Sequence, residues 1–118
     1  MEKKILHLVL KRKWYDMIAS GEKTEEYREI KPYWEKRLLD YKAIKRDVKM
    51  LAFRRFLTGR TVDPREYPRG FTHVAFHPGY TSTTITFEIE SITFGKGREE
   101  WGAPKNKPVF IIKLGKRI

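Results

Sequence analysis

The sequence predicts an α+β domain. Its frame is a small, partly closed mixed barrel of about five strands, with two or three helices over its openings. Three observations carry that prediction. Runs rich in branched residues recur at residues 5–10, 71–80, 81–94 and 108–115 and read as strands. Helical spacing follows the first strand and returns after a charged second one. The strands cluster late, with neither regular βαβ alternation nor an internal repeat.

The run ILHLVL at residues 5–10 reads as a buried strand, too short for a helix. Leu10, Trp14, Met17 and Ile18 then follow i, i+4, i+7, i+8, so a short amphipathic helix is expected over residues 11–20. Gly21 sits where a left-handed C′ residue ends such a helix. In KTEEYREI, residues 23–30, strand alternation puts Thr24, Glu26 and Arg28 on one face and Lys23, Glu25 and Tyr27 on the other. Charge on both faces excludes a wholly buried strand and suits an edge strand or cleft wall.

Pro32 fits a first helical turn, and Ile30, Trp34, Leu38 and Tyr41 keep helical spacing, giving a helix over residues 31–39. Residues 41–57 fit helix better than strand. Residues 59–70, with two prolines, two glycines and Arg60, Arg65 and Arg69, read as a basic loop. FTHVAFHPGY reads as a strand ending in a Pro-Gly turn. In TSTTITFEIESITF, Ile85, Phe87 and Ile89 point one way, and the apolar phase switches to Ile92 and Phe94. A bulge near Ser91 explains the switch and curves the sheet. Residues 95–107 are a Gly/Pro-punctuated loop, and PVFIIKLG closes as a buried strand.

At 118 residues the chain fits one domain, and 40% hydrophobic with 14% aromatic residues suffices for one core. The absence of cysteine excludes disulfides, thiolate zinc sites and thiol nucleophiles. Apolar runs are far shorter than the roughly 20 residues of a membrane span, and the N-terminus makes a poor signal peptide. A soluble cytoplasmic protein with no membrane role is expected. Lys and Arg number 26 against 15 Asp and Glu, a net charge of +11. That excess attracts polyanions, nucleic acid first.

These segments carry a resemblance. GEKTEEYR, residues 21–28, resembles the G-x-K-x-x-E-x-R signature of ASCH domains, members of the PUA-like superfamily. FTHVAFHPGY, TFEIESITFGKG, EWGAP and VFIIKLG resemble the later segments of that family, in its order. The resemblance covers most of the chain as a single domain over residues 1–118. Residues 42–70 stand out as a subfamily insertion. It implies a PUA-like barrel of five or six strands with a cleft beside the signature strand, and RNA as partner. Some ASCH domains are nucleoside amidohydrolases and others are reported ribonucleases.

Residue chemistry gives two readings. In the first, the basic surface engages RNA and a cleft around Lys23, Thr24, Glu26 and Arg28 receives a base or nucleotide. Lys23 meets phosphate, the Arg28 fork fits phosphate or a base edge, and Glu26 accepts from an exocyclic amine or holds the lysine. Tyr27, Trp34, Tyr80 and Trp101 are stacking candidates, with packing the better account of Tyr27 and Trp34. His77 is a donor at the cleft mouth. Lys96 and Arg98, in the basic GKGR turn, offer phosphate contacts. In the second reading the chain is a small hydrolase acting on a modified nucleoside or on RNA. Lys23 and Glu26 are then catalytic, with Glu90 or Glu88 as a further carboxylate. The resembled amidohydrolases carry threonine three residues after the lysine, where this chain has Glu26; Thr24 does not fill that position. His73 and His77 share a strand face, a weak zinc signal, and no metal or cofactor is expected. P-loop, GxGxxG and GxSxG motifs are absent from the sequence.

Overall fold

The computed structural model describes residues 3–40, 68–79 and 83–118. The chain divides into two compact units, Met1–Ile30 with Gly70–Ile118, and Lys31–Arg69. The sequence leads one to expect a single domain with an insertion at about residues 42–70, most of which lies outside the described residues. The ambiguous stretch 41–57 and most of the 59–70 loop lie outside the described residues, as does Tyr80.

The first unit opens with β1 (Ile5–Leu10) and α1 (Arg12–Ala19), followed by β2 (Glu25–Glu29). It resumes with β3 (His73–Pro78), β4 (Ile85–Gly95), a short 3-10 turn (Glu99–Trp101) and β5 (Val109–Arg117). The five strands form one curled sheet in the order β1-β3-β4-β5-β2. β1 runs parallel to β3, and all other neighbours are antiparallel. The sheet is a half-barrel, so the expectation of a mixed, partly closed barrel holds at that level.

β2 is an edge strand, as its charge requires. β1 is the other edge, and this corrects its reading as a buried strand. Leu6, Leu8 and Leu10 enter the core while Ile5, His7 and Val9 face out. An edge strand has a neighbour on only one side, and here one face is packed. Opposite Leu6 and Leu8 lie Val74 and Phe76, both fully buried. β4 carries register shifts between Phe87 and Ile89 and between Ile89 and Ser91, where the apolar phase switches. The bulged ladder lets Ile85 and Phe87 sit in the core while Phe94 lies exposed beyond it. β5 buries Val109, Phe110, Ile112 and Leu114; beyond Gly115 its side chains are exposed while the strand stays paired, Arg117 opposite Phe87.

α1 buries Tyr15 and Ile18. It ends where Gly21 takes φ +85°, and Gly21 N–H donates to the Ile18 carbonyl at 3.1 Å. That left-handed turn leads the chain into β2, and glycine adopts it without the backbone strain that a side chain would bring at this φ. The second unit contains α2 (Pro32–Leu38), with Pro32 in its first turn as expected. Leu39 pairs with Pro68 in an isolated bridge, and Arg69 N–H donates to the Leu38 carbonyl at 2.7 Å. Among the described residues no helix is long and apolar enough to cross a membrane.

Candidate functional site

The reversal after α1 places Lys23 before the first strand residue. Its N–H donates to the Met17 carbonyl at 2.9 Å, tying it to the end of the helix. Lys23 is therefore not part of the β2 alternation, which would have set it opposite Glu26. Instead its Nζ donates to Glu26 Oε1 at 2.7 Å, and Arg28 Nη2 donates to Glu26 Oε2 at 2.8 Å. One carboxylate bridges two cations. Lys23 is 2% exposed and Glu26 5%, so a solvated lysine at a strand start is excluded.

Glu26 and Arg28 pair with Ile112 and Phe110 of β5, and paired residues share a face. Both apolar partners are buried, so the charged pair points toward the core side of the sheet. Inward-pointing charge protects an edge strand from pairing with another chain. Arg28 also reaches toward β1, donating to the Val9 carbonyl at a long 3.4 Å. A side chain thus spans between the two strands that would have to pair for the barrel to close.

The ammonium of Lys23 lies 4.7 Å from the centre of the Trp14 ring and 5.7 Å from that of Tyr27. A carboxylate and two aromatic faces are the surroundings of a cation, and each face adds attraction where water is excluded. Tyr27 donates its hydroxyl proton to Glu25 Oε1 at 2.8 Å and accepts from the Arg98 N–H at 3.0 Å. Burial, reinforced by Glu25, pushes its hydroxyl up to about 12 against the ordinary 10.0, with the Arg98 N–H pulling the other way.

Two glycines let the loop after β4 lie over this region. A Cβ on Gly97 would fall 2.7 Å from both the Tyr27 ring and the Ala103 Cβ. Gly102, with φ +96°, comes within 3.0 Å of the Trp14 ring at the same test position. Tyr27, Ala103 and Val109 form a small cluster with Trp101 and Ile111 against it. Gly97 is thus explained by close packing, and the GKG turn needs no phosphate to account for it.

A cleft of about 220 Å³ opens here. Lys23, Glu26, Tyr27 and Arg28 line it from the signature segment, Leu10, Lys11 and Trp14 from the first strand and helix, and Trp101 and Gly102 from the loop. Its lining holds three basic side chains against one carboxylate.

Of the residues singled out in the sequence, Lys23, Glu26, Arg28 and Trp101 come together. Arg98 lies against them, its guanidinium 4.6 Å from the centre of the Trp101 ring. Thr24 is exposed and does not line the cleft; its carbonyl accepts from the Leu114 N–H at 3.0 Å. Lys96 is exposed in the loop. Glu90 is not brought to the cleft: it faces solvent on β4, 3.5 Å from Lys113 of β5. Glu88 is exposed as well. His77 lies on β3 beside His7 of β1 rather than lining the cleft, and Trp34 belongs to α2, edge-on to Tyr33.

Sequence reasoning missed Trp14, Lys11 and Gly102. Trp14 was legible as one residue of the apolar helix face, and the hairpin-like reversal at Gly21 is what turns it toward Lys23. Among the described residues no group of three or more His, Asp or Glu is placed to hold a metal ion. Searches with the chain find no matching family model, curated protein or solved structure.

Proposed function

We propose that the chain is a nucleic-acid-binding domain, with RNA as partner, whose cleft receives a single base or nucleotide. The observation that carries this reading is the Lys23–Glu26–Arg28 bridge in a cleft that Trp14 and Trp101 also line. Fixed donors and flat apolar surfaces are the combination that recognises a base: hydrogen bonds read its edge and rings stack on its face. The cleft volume of about 220 Å³ falls below the roughly 300–1,000 Å³ typical of drug-sized ligands, and suits one base rather than an oligonucleotide. The strand's phosphates would then run over the basic exterior, which the +11 charge favours. The resemblance to ASCH domains of the PUA-like superfamily adds support, because the Lys, Glu and Arg of that signature are the three side chains that interlock here.

The test is fluorescence anisotropy with labelled single-stranded, hairpin and duplex RNA and matching DNA, across a salt series. Wild type is expected to prefer one RNA class, and Arg28→Ala to lose that preference while retaining salt-sensitive background binding. Equal, weak binding of every polyanion by both proteins would sink the proposal.

One observation favours a second reading, a small hydrolase of modified nucleosides. Lys23 and Glu26 form a buried ion pair in an open cleft, which supplies a proton donor and acceptor at 2.7 Å. In that reading Glu26 is the carboxylate and Glu90 has no part. The hydroxyl of the resembled enzymes has no counterpart in the cleft lining, which ranks binding first. Release of base-modifying groups from acylated nucleosides, lost in Lys23→Met, would reverse the ranking.

A further inference from the structure

All three histidines of the chain sit on the β1–β3 pair, away from the cleft. His7 of β1 is opposite Ala75 of β3, and His73 and His77 flank Ala75 on the same face by alternation. His7 turns toward His77. Its Nδ1 lies 3.0 Å from His77 Nε2, with ring centres 5.3 Å apart and planes tilted by 47°. His73 engages Thr72 Oγ1 through its Nδ1 at 2.7 Å. The three do not form a cluster that holds a metal by itself, but the pair has a geometry of its own.

We propose that His7 and His77 form a two-imidazole chelate for a divalent transition metal, nickel or copper in preference to zinc. Imidazole nitrogens bind such ions at about 2.0–2.1 Å. Two nitrogens at that distance are about 2.9 Å apart at a right angle and about 3.4 Å apart at the tetrahedral angle. The observed 3.0 Å is close to the right-angle value, the cis arrangement of square-planar and tetragonal sites that suits copper and nickel. Zinc requires the pair to open by a few tenths of an ångström.

The ring that donates in the His7–His77 contact carries its proton on its other nitrogen when metal binds, so that both facing nitrogens offer a lone pair to an ion lying off the line between them. Each ring must therefore turn about its terminal torsion, which is soft for histidine. His7 is exposed and His77 half-buried, so the remaining coordination positions can be filled by water. The parallel pairing of β1 and β3 fixes the two Cα positions. The chelate is thus held on two strands of one sheet, and little ordering is left for binding to impose.

The test is isothermal titration of the untagged full chain with NiCl2 and with ZnCl2. The variants His7→Gln, His77→Gln and His73→Gln are titrated alongside, each checked for folding by circular dichroism. Long-range nitrogen NMR of the imidazole rings gives a second readout. The proposal expects one site per chain and tighter binding of nickel than of zinc. It expects at least roughly tenfold weaker binding in His7→Gln and in His77→Gln, with His73→Gln equal to wild type. Ring-nitrogen shifts should move at His7 and His77 alone. Equal affinity in wild type and the His7 and His77 variants, or shifts centred on His73, would overturn it.

Discussion

Replacing Glu26 by leucine isolates the element on which the cleft depends. The change keeps side-chain bulk but leaves the Lys23 ammonium, 1% exposed at its side chain, without its carboxylate. Breaking a buried ion pair from one side costs about 3–5 kcal/mol, because the remaining charge is neither paired nor hydrated. The Trp14 and Tyr27 faces, at 4.7 and 5.7 Å, offset only part of that. Against a total stability of about 5–15 kcal/mol, the loss is a large share. For a chain of this size it lowers Tm by roughly 12–20 °C, at about 4 °C per kcal/mol. Lys23→Met should cost less, about 1–2 kcal/mol, since Glu26 keeps Arg28 at 2.8 Å. The double variant Lys23→Met/Glu26→Leu should recover most of what Glu26→Leu alone loses, because no unpaired buried lysine remains. Urea unfolding of the four proteins measures all three differences. If Glu26→Leu unfolds within about 0.5 kcal/mol of wild type, or costs less than Lys23→Met, the carboxylate is not the hub and the reasoning fails.

Tyr27 gives a pH prediction. With its folded hydroxyl near 12 against 10.0 unfolded, the folded chain holds that proton longer. The resulting stability is fully present below pH 10 and is lost as pH rises toward 12, about 2–3 kcal/mol in all. Tyr27→Phe should show a correspondingly shallower decline in urea midpoint over that range. Gly97→Ala forces a methyl against the Tyr27 ring and Ala103. It should destabilise by about 1–3 kcal/mol, with part of the loss restored by adding Ala103→Gly. Trp101→Ala should weaken binding of the preferred RNA by about 1–3 kcal/mol with the salt slope unchanged, read by anisotropy at two salt concentrations.

The regular elements were legible because each is decided by local pattern. Leu10, Trp14, Met17 and Ile18 declare a helix face, and the phase switch at Ser91 declares a bulge. Half-exposure of β1 was not legible, since strand order is a property of the whole sheet and ILHLVL reads alike at an edge or in the middle. In the site, Glu26 and Arg28 followed from alternation. Lys23 did not, because the chain enters β2 only at Glu25 and the residues before it obey the turn instead. The pairing of Glu90 with Lys113 depends on the register of β4 on β5 across the bulge, which no residue spacing encodes.

The order β1-β3-β4-β5-β2 has a bearing on assembly. The three inner strands are consecutive in the chain and form an antiparallel meander. Residues 1–30 supply both outer strands, one at each end of it. The amino-terminal segment therefore embraces the meander from two sides, and the second unit joins the two pieces as one covalent tether. Cutting that tether makes the β1–β3 and β2–β5 pairings intermolecular and leaves the pairings of the meander within one fragment. The molecule is thus laid out for complementation: a 30-residue piece and a meander would rebuild the sheet, and with it the cleft, only when mixed.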